Sequence, residues 1–291
     1  MSKCEEKQSI DLLIFIISKC SHGSLRQTIR RTWTNQVLFE KYFPNIHLKH
    51  LFLLDFDHST QQEIQLEHQI YGDLVQVINL PQQYHFVTYR EASIYKFVTQ
   101  YCSNVKFLLK TDDDIFIDLF RLFQTTNSFN LFSLNTTDLN IYGYPIDHGL
   151  VVRQSIDSIG ERYIITDEEY SCSHYPRFLS GFGYLMSIRV CSLLIKLFEM
   201  DQNPFPLSDV YFTGLLPEIF GLKRKYLFES VDYLYLKSCD RKFFESLTKQ
   251  GFACAASSQH FHVKENEISS MNEYNQLWMT IKRKFFQQTF K

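Results

Sequence analysis

The chain has 291 residues, an apolar fraction of 45 % and a formal charge of -2. That length suits one large domain or two small ones. The near-neutral charge, with no basic stripe and no RNA-reading motif, excludes a nucleic-acid partner gathered by the field of the protein. Phenylalanine is abundant, 27 Phe against 2 Trp, so Phe does core work that Leu or Val does elsewhere.

Residues 1–11 form a polar extension. Glu5 and Glu6 stand where a secretory leader would carry its positive and apolar regions, so this stretch is not a signal. Leu12 to Ile17 is continuously apolar and rich in β-branched residues, the pattern of a buried parallel strand. It is the longest apolar run, at six residues. A membrane span needs roughly 20. Gly23 to Tyr42 reads as a loop and helix, Leu48 to Leu54 as a second strand, and Gln61 to Tyr71 as a helix carrying Ile64, Leu66 and Ile70. Leu74 to Leu80 is a third strand, stopped by Pro81. Tyr89 to Cys102 has helical spacing, and Val105 to Leu109 is a fourth strand. Strands alternating with helices predict an α/β fold with a mostly parallel sheet and right-handed crossovers. Past residue 140 the pattern changes. Ile141 to Tyr144 and Tyr163 to Ile165 read as short strands, Gly181 to Gly183 as a tight segment followed by Tyr184 to Ser187, and Val190 to Phe198 as a helix. A mixed, partly antiparallel region is expected there.

The strand Val105 to Leu109 runs into Asp112-Asp113-Asp114. Stacked carboxylates at the end of a buried strand repel one another, and desolvation makes this worse. A hard divalent ion with oxygen ligands relieves the repulsion and can bridge to phosphates. The other reading is a solvated turn or a helix N-terminus. Ligands in parallel sheets sit at the carboxyl ends of strands, which is where the triplet falls.

Other groups carry paired readings. Arg26, Arg30 and Arg31 follow the first strand and suit either bidentate phosphate contact or a solvated helix face. Arg90 has the same two readings. Trp33 reads as core or as a stacking platform. Asp209 precedes an apolar run and suits a helix cap or a general base. His260 and His262 lie two apart, on one face of a strand if a strand forms, and are structural or metal-completing. Seven cysteines contain no CxxC spacing, which argues against zinc. Asn135-Thr136-Thr137 is a glycosylation sequon in a polar stretch, weak support for a lumenal setting.

These segments together resemble the β-1,3-galactosyltransferase-like family of glycosyltransferases, the group that also holds β-1,3-N-acetylglucosaminyltransferases. The resemblance covers about Leu12 to Trp278. Arg26 to Trp33 looks like the RxxIRxTW segment. Phe52-Leu53-Leu54 looks like FLLG, with Asp55 at the glycine. Cys102 followed by Lys110-Thr111-Asp112-Asp113-Asp114-Ile115-Phe116 resembles C…KxDDDxF. Tyr175 to Tyr184 resembles YPxYCSGGGY, and Ser208 to Gly214 resembles EDVYxxG. Five motifs in order make the resemblance specific.

The resemblance implies a GT-A fold in a single catalytic domain over residues 12–285. Its halves are a nucleotide-binding part, 12–118, and an acceptor-side part, 119–285. It implies an inverting transfer of a hexose or N-acetylhexosamine, galactose or GlcNAc first, from a UDP-sugar to a glycan hydroxyl, with Mn²⁺ as cofactor. Asp209 matches the catalytic base. Asp112 and Asp114, with His260 or His262, match the metal site. Arg26, Arg30, Arg90, Asp112 and Asp113 are expected at the nucleotide sugar. Ser180, Gly181, Phe182, Gly183 and Tyr184 are expected to line the donor and acceptor pocket. The acceptor would sit on a glycoprotein or glycolipid. Family members are anchored in the Golgi as type II membrane proteins. No anchor is visible in this chain, so a truncated chain or a soluble member is expected.

The sequence departs from the family at several points. Ser208 stands where Glu is usual, Phe182 at the central glycine of GGG, and Leu179 at a cysteine. Asn79 to Tyr84 replaces DFxDSY, while Thr88 and Arg90 keep the later Thr and a cation. Two competing readings remain: an inactive relative that binds carbohydrate or assists folding, and a metal-dependent phosphohydrolase.

Overall fold

The computed structural model describes Cys4 and residues 9–80, 86–123, 134–155, 160–227 and 253–255, with 272, 275–276 and 278–283. The first half alternates strand and helix: β1 (Ile10–Ile17), α1 (Gly23–Arg31), α2 (Gln36–Tyr42), β2 (Leu48–Asp55), α3 (Gln61–Tyr71), β3 (Leu74–Val77), α4 (Val87–Tyr101) and β4 (Val105–Asp112). There follow β5 (Ile115–Ile117), α5 (Leu119–Phe123), β6 (Asn140–Gly143), β7 (Pro145–Ile146), β8 (Phe178–Leu179), β9 (Gly183–Ser187) and α6 (Ile188–Met200). One winding stretch then combines α7 (Ser208–Val210), a π turn over Tyr211–Leu215 and α8 (Leu216–Phe220). It leads to β10 (Lys223–Tyr226), and β11 (Ala253–Ala255) comes later.

Among the described residues, seven strands form one sheet in the order β10-β6-β9-β4-β1-β2-β3. β1 is parallel to β2 and β4, β2 to β3, and β10 to β6. β9 alone is reversed, antiparallel to both β4 and β6. The fold is therefore α/β, with the mostly parallel, mixed sheet expected of a GT-A arrangement.

The alternation of strand side chains explains why β1 is apolar throughout. Leu12, Ile14 and Ile16 face a core shared with α1, α2 and α5, while Leu13 and Phe15 face a second core shared with α4 and α6. A central strand covered on both sides has no solvent face to make polar. Trp33 is wholly buried and meets Phe116 edge-on, so it belongs to the first core rather than to a ligand. Phe39, Phe43, Phe120 and Phe123 stack in the same core, which accounts for part of the Phe surplus. Cys4 and Cys102 form a disulfide, Cα atoms 5.0 Å apart, pinning the segment before β1 to the end of α4.

Among the differences from expectation, three have a clear physical cause. β4 does not stop at Leu109. It continues to Asp112, because Thr111 and Asp112 still pair with Ile16 and Ile17 of β1 and Thr111 with Gly183 of β9. β3 ends at Val77 rather than Leu80. Asn79 adopts φ 67, a left-handed backbone that breaks the extended ladder. Tyr163 to Ile165 is not a strand. Gly160–Tyr163 is a short 3₁₀ turn, and only an isolated bridge joins Val152 to Ile164. Arg153 takes the Ile165 carbonyl, 2.7 Å, which a ladder would need. His260 and His262 lie outside the described residues, as does the segment from Pro81 to Tyr84.

Candidate active site

The acidic triplet sits where the sheet topology predicts ligands, at the carboxyl rim beside β1 and β9. Asp112 is the last residue of β4, opposite Ile17. Asp113 and Asp114 form the turn into β5, and the Asp113 N–H donates to the Ile17 carbonyl at 3.0 Å. This turn sends Asp112 and Asp113 to different partners. Asp113 is buried and its Oδ2 lies 2.7 Å from His22 Nδ1, on the loop after β1. Asp112 is about two-fifths exposed, and its Oδ1 lies 3.1 Å from Lys110 Nζ. Asp114 is half-buried.

Lys110 was not among the expected site residues, yet it is the hub. Its side chain is 3 % exposed, and on a buried strand such a cation must be compensated. Asp112 supplies one partner. Glu91, wholly buried on α4, supplies another at 4.0 Å, and the Gly181 carbonyl accepts from the ammonium at 3.3 Å. Burial alone would lower the pKa of Lys110. The charges of Asp112 and Glu91 outweigh it and hold the ammonium above its ordinary value. Glu91 in turn accepts the hydroxyls of Tyr95 (2.5 Å) and Tyr184.

The second carboxylate approaches from α7. Gly181 lies against it: a Cβ added there would stand 3.3 Å from Asp209 Oδ2. Asp209 does not cap the helix. Leu207 occupies the cap, and among the described residues the Asp209 side chain accepts the neighbouring Val210 N–H alone, 2.9 Å. Burial pushes its carboxyl up to about 6. The Val210 N–H and Lys110 resist that rise, while the charges of Glu91 and Asp112 add to it. The backbone carbonyl of Asp209 accepts Thr213 Oγ1, which itself accepts the Leu179 N–H at 2.8 Å. That pair ties the start of the π turn to β8. Single π turns within helices recur at functional sites.

The segment Ser180 to Tyr184 joins the two carboxylates. Thr111 Oγ1 donates to the Phe182 carbonyl at 2.7 Å, and Gly183 pairs with Thr111. A Cβ at Gly183 would stand 3.2 Å from the Lys110 carbonyl, so glycine lets β9 close on β4. Ser180 is buried, its N–H given to the Tyr144 carbonyl. Phe182 is half-buried and packs on the first core. Tyr184 is not a pocket wall. It is wholly buried, with its hydroxyl on Glu91, and it supports Lys110 from beneath.

The three arginines expected at phosphate have another occupation. Arg26 is 1 % exposed. Its five N–H donors are taken by Glu67, Ser18 and the Lys19 and Cys20 carbonyls, so none is left for a ligand. Arg30 forks onto Asp73 and also meets Glu67, with its guanidinium between Phe52 and Tyr71. Arg90 is held by both oxygens of Asp55, the residue standing at the family's glycine. These ion pairs fix α1 to α3 and to the turn before β3, and α4 to the end of β2.

The donor set bears on the metal. Among the described residues, no three His, Cys, Asp or Glu side chains converge into a cage. Ions that serve phosphorylated substrates do not need one. They take one or two carboxylates, with phosphate and water for the rest, and Mn²⁺ favours such oxygen donors. Asp112 and Asp114, partly exposed at the rim, fit that kind of holding. Asp113, turned to His22, does not.

Two signals for the hub were present in the sequence. Lys110 directly follows Phe107-Leu108-Leu109, where the strand is buried on both faces, unlike the exposed Lys106. Glu91 shares a helical stripe with Ile94, Tyr95 and Val98. A lone anion and a lone cation on buried faces imply each other.

A strand-end carboxylate, a buried cation and a second carboxylate beside Gly181 thus form one charged cluster at the sheet rim. The galactosyltransferase family model matches residues 24–227. Beta-1,3-galactosyltransferase 1 of Mus musculus is 31 % identical over 226 residues, covering 76 % of this chain and 64 % of that protein. UDP-GalNAc:beta-1,3-N-acetylgalactosaminyltransferase 1 of Rattus norvegicus is 28 % identical over 217 residues, 72 % of this chain and 60 % of that protein. The chain thus spans somewhat under two thirds of the length of these relatives. A galactosyltransferase, LgtC, solved with donor and acceptor sugar analogues, aligns with TM-score 0.38 and 10 % identity over 74 % of this chain and 72 % of that one. The chain belongs to the galactosyltransferase family.

Proposed function

We propose that the protein is an inverting, Mn²⁺-dependent glycosyltransferase that moves galactose or an N-acetylhexosamine from a UDP-sugar to a glycan hydroxyl in β-1,3 linkage. The observation that carries this reading is that one buried ammonium, Lys110, pairs with Asp112 and holds the carbonyl of Gly181, the residue that packs against Asp209. Asp209 is the general base. It takes the proton of the acceptor hydroxyl as that oxygen attacks the anomeric carbon, the bond to UDP breaks, and the configuration inverts. Its raised pKa places the base near working pH, where such catalysts are most effective.

Asp112 and Asp114 would hold the cation, beside the place a diphosphate would take. The chemistry supplied by Mn²⁺ bound there is charge stabilisation of the leaving group. Lys110 keeps Asp112 oriented and holds the Gly181 carbonyl, so the loop Ser180 to Gly183 stays against Asp209. Phe182 narrows the pocket on that loop. The acceptor is a glycoprotein or glycolipid glycan, and the compartment is the Golgi lumen, in keeping with the family resemblance and with the Cys4–Cys102 disulfide.

Incubation with Mn²⁺ and each of UDP-galactose, UDP-GlcNAc and UDP-GalNAc, against simple sugar acceptors, tests the reading. Transfer from one donor is expected, lost in Asp209→Asn with UDP binding retained. Full transfer by Asp209→Asn refutes the base. UDP binding without transfer or hydrolysis for any donor favours the inactive, carbohydrate-binding relative.

A further inference from the structure

Asn135-Thr136-Thr137 is the one Asn-X-Ser/Thr triplet in the chain, and the chemistry of the cleft makes no use of it. All three residues are exposed, in a turn closed by the Asp138 N–H on the Asn135 carbonyl, 3.1 Å. Within the turn the side-chain amide of Asn135 is already engaged by the residue two places on. Thr137 donates both its N–H (2.9 Å) and its hydroxyl (2.7 Å) to Asn135 Oδ1. The carbonyl end of the amide is therefore polarised by a threonine hydroxyl, and Nδ2 is the end left to react.

The position is as informative as the turn. β6 and β4 are both antiparallel to β9, so they run in the same direction. The turn before Asn140 must then lie at the Val105 end of β4, and Thr136 does line a surface hollow with Ser103, Asn104 and Val105. From there to Asp112 the strand is eight residues long. At about 3.3 Å per residue the two ends are some 23 Å apart. A large group on Asn135 would leave the end of the sheet opposite Asp112 and Asp209 and obstruct neither. The Cys4–Cys102 disulfide separately marks a chain that matures where thiols oxidise, the compartment in which asparagine glycosylation takes place.

We propose that Asn135 is an N-glycosylation site, modified by an oligosaccharide from a lipid-linked pyrophosphate donor. In the transfer, Asn135 Nδ2 bonds to the anomeric carbon of the first sugar and gives up a proton. The bond from that carbon to the pyrophosphate oxygen breaks, and the lipid pyrophosphate leaves, with no change of oxidation state. The assignment does not depend on the activity proposed above.

The test is expression of the full chain behind a cleavable secretory leader in a eukaryotic cell. Secreted and retained fractions are then treated with a peptide-N-glycosidase and mapped by mass spectrometry. The expected result is a glycan on the Asn135 peptide, removed by the amidase with conversion of that residue to aspartate. Asn135→Gln and Thr137→Ala each lose the glycan, and Thr137→Ser keeps it. Unmodified Asn135 in every disulfide-bonded fraction of the wild-type chain overturns the assignment. So does a glycan that persists in Thr137→Ala.

Discussion

Lys110 Nζ and Asp112 Oδ1 stand 3.1 Å apart, on side chains two residues along one face of β4, with Glu91 of α4 4.0 Å from the same ammonium. Removing one member of a buried ion pair leaves the other uncompensated, at about 3–5 kcal/mol. Lys110→Met should therefore destabilise the fold by an amount in that range, read by urea denaturation, because Glu91 is wholly buried. Lys110→Met with Glu91→Gln should recover most of the stability, since Gln still accepts the hydroxyls of Tyr95 and Tyr184. It should not recover transfer, since Asp112 and the Gly181 carbonyl have lost their tether. A double variant as unstable as the single would refute the pairing.

Asp209 is expected to cost the fold stability. Burial lifts its carboxyl in the folded chain to about 6, above the ordinary aspartate value of 3.8. Between those values the folded chain binds the extra proton, so stability declines as pH rises through the interval. A displacement of that size corresponds to roughly 3 kcal/mol at most at neutral pH. Asp209→Asn should therefore raise Tm at pH 7, and the gain should vanish near pH 4. The same variant should lose transfer. In the wild type, transfer should fall about tenfold for each further drop of one in pH below 6, as the base is protonated. A Tm gain independent of pH would mean that ionisation is not its origin.

Much of this site can be read from the chain as written. The apolar run before Asp112 fixes a strand, parallel topology puts its end at the ligand-binding rim, and the motif around Asp209 names the opposing carboxylate. Partners are harder to read. Arg26 and Arg30 lie one helical turn apart after β1, a pattern equally suited to phosphate or carboxylate. Only α3, returning beside α1, brings Glu67 and Asp73 to them. Tyr184 reads as a pocket residue within its motif. Its place in β9, with its side chain turned toward α4, makes it interior.

The cluster around Arg30 should make the fold acid-labile. Burial alone would raise the carboxyls of Glu67 and Asp73. Arg26 and Arg30 hold Glu67 down, and hydrogen bonds from His50 and Arg30 with the charge of Arg30 hold Asp73 far lower. A lowered folded pKa gives stability that is present above the unfolded value, about 4, and is lost as pH falls below it. Denaturation midpoints should thus drop steeply as pH falls below about 4. Asp73→Asn should be less stable at pH 7 by roughly 3 kcal/mol or more and show a shallower acid slope. Equal slopes in both chains would remove Asp73 from the account.

Gly181 should separate chemistry from folding more cleanly than any charged residue here. A methyl group at this position meets Asp209 Oδ2 at 3.3 Å and no backbone atom among its nearest neighbours. Asp209 must shift by a few tenths of an ångström to admit it, and misplacement on that scale misaligns a base with its proton. Gly183 offers the contrast, because a methyl there meets the Lys110 carbonyl at 3.2 Å, in the β4–β9 ladder itself. Gly181→Ala is expected to lower kcat at least tenfold with KM for the donor and Tm nearly unchanged. Gly183→Ala should lower Tm by several degrees, since about 1 kcal/mol shifts Tm by 2–4 °C in a domain somewhat smaller than this. If Gly181→Ala keeps full kcat, Asp209 does not act at the reacting hydroxyl.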